Sequence, residues 1–159
     1  MRRHSMRLVR AVLVGSIVMA WCGATHHVAA QRRAPVTVTR LFTGSDGQTH
    51  AEQIEMKLTP PALHDGTERS ERINVNALQI VRWPPGHVND WHNASETPGG
   101  HQYVVTISGR GEVEIAGGEK VRLEPGRVLL GEDLTGKGHI TRTLGSEDWV
   151  SLHVSISDR

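Results

Sequence analysis

From residue 36 to the end of the chain, short runs of alternating apolar and polar residues are each cut off by Gly or Pro. VTVTRLF (36–42), EQIEMKL (52–58), INVNALQIVRW (73–83), HQYVVTIS (101–108) and WVSLHVSI (149–156) follow the pattern, with shorter runs at 112–116, 120–123, 128–131 and 139–144. A period of two puts successive side chains on opposite faces, as in a strand. No stretch of helical length carries apolar residues at the period of about 3.6 that a helix needs. The punctuation comes from 17 glycines and 7 prolines. Many short strands between such breakers predict an all-β sandwich or barrel. The sequence shows no internal repeat and no low-complexity segment.

The first 30 residues do not share this pattern. Arg2, Arg3, Arg7 and Arg10 precede an apolar run, AVLVGSIVMA (11–20), and Val28-Ala29-Ala30 places small residues before Gln31. A basic start, a short apolar stretch and a small-residue exit predict a secretory signal peptide. The run is shorter than the roughly 20 residues a membrane span takes, so an uncleaved anchor is the lesser reading. The expected organisation is a signal peptide over 1–30, a lead-in over 31–36 and one domain over 37–159. The expected location is exported, periplasmic or extracellular, with no membrane contact after cleavage.

Without residues 1–30 the 18 basic residues fall by those four arginines to 14, against 17 acidic ones, a net of −3. The overall basic pI near 8.1 is therefore a property of the leader, and nothing indicates a basic face for nucleic acid. Cys22 is the only cysteine and lies in the leader behind Trp21, a poor setting for lipidation. The domain so defined has no disulfide or thiol chemistry. There is no Gly-x-Ser-x-Gly elbow, phosphate-binding loop or dinucleotide fingerprint.

Two clusters carry the candidate chemistry. Asp90-Trp91-His92 is followed by Gln102-Tyr103-Val104-Val105 and, six residues after Gln102, by Gly109. Further on, Pro125-Gly126-Arg127 leads into an apolar run, and Gly136-Lys137-Gly138-His139 follows. These stretches resemble the two short motifs of the cupin family, His-x-His with a later Glu and Gly, and Pro-Gly-Asp with a later His. The resemblance covers roughly residues 37 to 156. It implies a small antiparallel barrel of jelly-roll type with a ligand pocket at its mouth, and a divalent transition metal (Fe, Mn, Ni, Cu or Zn) as cofactor. It also implies a small-molecule ligand, and pairing of sheet edges into a homodimer.

The sequence departs from the family pattern in four places. Gln102 stands where metal-binding cupins carry Glu, no His-x-His is present, Asn93 to Gly100 holds a few extra residues, and Arg127 replaces the acid after Pro-Gly. Two registers remain open. In one, His92, Gln102 and His139 are the metal ligands. In the other, Asp90, His92 and Glu96 stand beside His139 as a harder set. Trp91, Glu96, His101 and Tyr103 are the further candidates for the pocket. Alternation puts Gln102, Val104 and Thr106 on one strand face and His101, Tyr103, Val105 and Ile107 on the other. The second set is the more apolar, so which face looks inward stays open. His153 alternates with Val150, Leu152, Val154 and Ile156 and is expected to face out. His50, His64 and His87 flank turns and are expected at the surface. Gly109 and Gly111 are expected to supply the positive φ of a tight turn.

The expected function is that of an exported small-molecule-binding protein, with a histidine-held metal in its barrel and metal-dependent activity on a small organic substrate. The alternative is a metal-free binding or interaction module.

Overall fold

The computed structural model describes residues 33–59, 66–96 and 100–157. The expected leader and His64 lie outside them. Among the described residues there are ten strands and two single-turn 3-10 helices, and no helix is long and apolar enough to cross a membrane.

In chain order the strands are β1 (Thr37–Thr43), β2 (Thr49–Glu55), β3 (Val75–Trp83), β4 (Val88–His92), β5 (Gln102–Ser108), β6 (Gly111–Glu114), β7 (Lys120–Leu123), β8 (Val128–Glu132), β9 (His139–Thr143) and β10 (Trp149–Ile156). They form a six-stranded sheet, ordered β2-β1-β8-β5-β10-β3, and a four-stranded sheet, ordered β4-β9-β6-β7. The architecture is an all-β jelly roll. Its pairings are antiparallel except that of β1 with β8, which is parallel. Most strands lie within two residues of their sequence reading, and two differ more. β2 begins and ends three residues earlier than the run at 52–58, and β4 was not visible as a strand.

The six-stranded sheet packs on both faces. Between the sheets lies a cluster of Leu41, Val104, Val113, Ile115, Leu123, Leu129 and Trp149. Val38, Tyr103, Leu130 and Ile156 form a second cluster with Met56, which follows β2, packed against it. Tyr103 and Leu130 alternate with Val104 and Leu129 along their strands, so the second cluster sits on the sheet's outer face. This settles the ambiguity on β5: Gln102, Val104 and Thr106 look inward although the other set is more apolar. It also reverses the expectation for His153. Ser151, His153 and Ser155 are the inward set of β10, because Val154 and Ile156 are taken up by the outer cluster.

Trp149 anchors the inner core. Its side chain is 1% exposed, and its indole N–H donates to Thr106 Oγ1 at 3.2 Å, satisfying the one polar group the ring buries. The Gly109-Arg110-Gly111 turn makes room for it in two ways. Gly109 adopts φ +70°, as expected. Gly111 does not have a positive φ; a Cβ there would press on the Trp149 ring. Close approach, not turn geometry, is the reason for the second glycine.

Candidate functional site

β4 and β9 pair so that His92 and His139 are Cα partners across the ladder. Their rings lie 4.4 Å apart between centroids, tilted by 59°. Gly138 permits this approach. It sits at φ +77°, and a Cβ on it would collide with the carbonyl of His92.

Each imidazole is anchored through Nδ1. That of His92 donates to the carbonyl of Asp90 at 2.7 Å. That of His139 is 2.7 Å from Oδ2 of Asp133, which also accepts from Thr49 Oγ1 at 3.1 Å. Asp133 is completely buried, and among the described residues its Oδ1 has no hydrogen-bond partner. Carbonyl and carboxylate oxygens only accept, so the hydrogen-bond network places the proton of both rings on Nδ1 and leaves both Nε2 atoms as acceptors. The amide nitrogen of Asn89 stands 3.3 Å from His92 Nε2. Burial pushes the His92 pKa down, and the neighbouring His139 adds to this, against the opposing pull of the Asp90 carbonyl, Glu96 and Asp133.

A second line of hydrogen bonds crosses the six-stranded sheet. The Trp83 indole N–H donates to Ser151 Oγ at 3.0 Å. Ser151 Oγ is 3.0 Å from His153 Nε2, and His153 Nδ1 is 3.2 Å from Gln102 Oε1. The Gln102 amide oxygen only accepts, so His153 Nδ1 carries the proton; in a neutral ring Nε2 then accepts from the Ser151 hydroxyl, whose oxygen accepts from the indole. Burial lowers the His153 pKa, in keeping with the neutral ring this row requires.

The two groups face one cavity between the sheets, of about 70 Å³. Of the first register's three residues, His92, Gln102 and His139 all line it. Ala94 does as well. It is 2% exposed and stands two residues after His92. Asp90 and Glu96, from the other register, do not line this cavity. The Asp90 side chain accepts from the Trp91 backbone N–H at the surface, and Glu96 ends an exposed 3-10 turn.

The remaining pocket candidates also fall elsewhere. Trp91 carries the Lys137 ammonium 3.5 Å above its ring. His101 faces Glu132 with 3.9 Å between Nδ1 and Oε1. Tyr103 belongs to the outer cluster. Of the turn histidines, His50 pairs with Asp46 at 3.0 Å and His87 packs on Trp83. The residues missed in the sequence are Asp133, Asn89, Ala94 and His153. For His153 a signal existed: Ser151, His153 and Ser155 form a polar set at strand spacing. Asp133, in a Glu-Asp-Leu-Thr stretch, reads as a solvated loop carboxylate.

The two motif-like stretches draw on both sheets: β4 and β9 are neighbours in the four-stranded sheet and β5 lies in the six-stranded one, and together they place polar residues around a single cavity inside a two-sheet jelly roll. The fold is an all-β jelly roll of two sheets. Solved structures similar to it include a cupin-like protein from Thermotoga maritima, at 23% identity over 49% of this chain and 54% of that one, with a TM-score of 0.41. A double-stranded β-helix protein from Klebsiella pneumoniae is 18% identical over 54% of this chain and 77% of its own, with a TM-score of 0.41. A cupin domain from Schizosaccharomyces pombe is 12% identical over 80% and 86% respectively, with a TM-score of 0.43. No protein-family model matches the sequence, and no curated protein matches it. Likeness at this level concerns the course of the chain and not the chemistry of the cavity.

As a metal site, the cavity offers two anchored imidazoles and the amides of Asn89 and Gln102. No carboxylate lines it, and among the described residues no group of three or more His, Cys, Asp or Glu converges. The Gln102 oxygen is engaged by His153. Two Nε2 acceptors, each held in orientation through its Nδ1 proton, suit a first-row transition ion. The rest of the set is neutral and weak.

Proposed function

We propose that this chain binds a small organic molecule in its barrel, beside a divalent transition metal shared by His92 and His139. The observation that carries the reading is the anchoring of both imidazoles. A protein acceptor fixes each Nδ1 proton, and one of the two is the buried Asp133. A carboxylate behind a ligating imidazole orients the ring and raises its basicity. An ion held there would supply Lewis-acid or oxygen-activating chemistry. The chain's own residues orient the two rings, keep bulk water out through Trp149 and Leu129, and offer Asn89 and Gln102 to the ligand. The test is elemental analysis of protein purified without chelator and offered Fe, Mn, Ni, Cu and Zn, beside the His92→Ala/His139→Ala double variant. About one equivalent of metal, lost in the variant, is the expected result. No metal in either protein would overturn the reading.

A second reading, a metal-free binding module, is favoured by Gln102 at the place of a glutamate. In that case the same pair of Nε2 atoms accepts hydrogen bonds from the ligand directly. The double variant would then lose ligand affinity while its metal content stays at zero.

A further inference from the structure

The central cavity, at about 70 Å³, is about half the size of the roughly 150 Å³ cavity that holds a benzene ring. The body of a ligand of sugar size would extend beyond it. A neighbouring compartment of about 170 Å³ opens along the inward face of β3. It shares Trp83, Gln102 and His153 with the central cavity and adds Gln79, Ser155 and two small apolar side chains of β3. Among the described residues no Lys, Arg, Asp or Glu lines either compartment.

The polarity of this wall is therefore hydrogen-bonding and uncharged. The row from Trp83 to His153 commits the oxygen of Gln102 and leaves its amide –NH2 to donate. Gln79 offers a donor and an acceptor, and Trp83 brings an aromatic surface. Ala77 and Gln79 are exposed, so the compartment is open to water, and a carboxylate or phosphate on this wall would meet hydrogen-bonding partners but no opposite charge. A hydroxyl group, donor and acceptor at once, is matched by amide and imidazole partners.

We propose that the inward face of β3, together with Gln102 and His153, is an outer subsite for a neutral, hydroxyl-rich molecule such as a sugar or polyol. This rests on reading the barrel as a ligand site, and not on the metal. Its polar end reaches the central cavity and its body lies against Gln79 and Trp83.

The experiment is a titration of the purified chain, followed by calorimetry and saturation-transfer NMR. The probes are glucose, xylose and inositol, with glucuronate and glucose 6-phosphate as charged counterparts. The same samples are analysed for metal. Saturable binding of at least one neutral probe, at least tenfold tighter than its charged counterpart and at least tenfold weaker in Gln79→Ala and in His153→Ala, is expected. The melting curves of both variants establish that they fold. Charged probes binding as tightly as neutral ones, neutral binding that is indifferent to Gln79→Ala, or no binding of any probe would overturn the proposal. Metal uptake without sugar binding would leave the two-histidine centre standing and remove this subsite. Sugar binding without metal would do the reverse.

Discussion

Asp133 stands directly behind His139, its Oδ2 2.7 Å from the ring Nδ1 and its Oδ1 without a hydrogen-bond partner among the described residues. A completely buried carboxyl group with one oxygen unmatched is costly to keep, and what it does here is hold one imidazole in one orientation. Asp133→Asn keeps the shape and removes the strong acceptor. Metal affinity should fall by about 10–100-fold, the usual effect of losing an outer-shell partner, with the folded barrel retained by circular dichroism. Undiminished uptake would mean that His139 needs no such anchor.

Gly138 controls the distance between the two histidine strands. Gly138→Ala puts a side chain into the left-handed region, at a cost of order 1–3 kcal/mol, and drives a Cβ into the His92 carbonyl. Denaturant unfolding should show at least that loss, accompanied by loss of the paired-histidine site. A variant as stable as the parent would show that β4 and β9 can separate freely.

Gly131 offers the opposite case. Its φ is not positive, and an added Cβ would find Ala94 Cβ at 3.7 Å and Gln102 Cγ at 3.8 Å, ordinary contact distances. Gly131→Ala should therefore leave the melting temperature within a few degrees while narrowing the central cavity. Ligand affinity should drop by tenfold or more. Unchanged affinity would place the ligand outside this cavity.

Ala94→His adds a third imidazole to the cavity wall beside His92. It should raise metal uptake above that of the parent, measured by competition against a chromophoric chelator. No gain would mean that the backbone after β4 cannot bring a third imidazole to the pair.

Acid should weaken the metal-free protein. Burial lowers the pKa of both His92 and His153. A group whose pKa is depressed on folding stabilises the fold above its unfolded value, about 6.5 for imidazole, and that stability drains as pH falls toward the lower folded value. The melting temperature should thus decline as pH is lowered from about 7 to about 5, and the His153→Gln variant should decline less. A flat profile would remove buried neutral imidazole as a feature of the barrel.

Most of the strands could be read from the sequence because they alternate, and the motif-like residues could be located because their spacing survives. What could not be read has physical reasons. β4 lies in Val-Asn-Asp-Trp-His, polar at most positions, and is held by pairing with β9 and not by an apolar face. β2 starts earlier than its apolar residues do because Thr49 is buried through a hydrogen bond to Asp133. His153 was assigned to the wrong face because the apolar set on β10 seemed to mark the core. In this sheet the outer face has a core of its own, which takes up the apolar residues of β10 after Trp149 and leaves its inward set, Ser151, His153 and Ser155, polar. Ala94 carries no signal in a single sequence; only the cavity wall shows what stands there.

The strand that walls the outer compartment is also the edge of its sheet. Among the described strands β3 is hydrogen-bonded to β10 alone, and its outward Leu78 and Ile80 are 61% and 68% exposed. A wall with one neighbour yields more readily than a wall with two. A ligand that bridged Gln79 to Gln102 would act as a missing cross-tie from β3 to β5, stiffening the edge on which it rests.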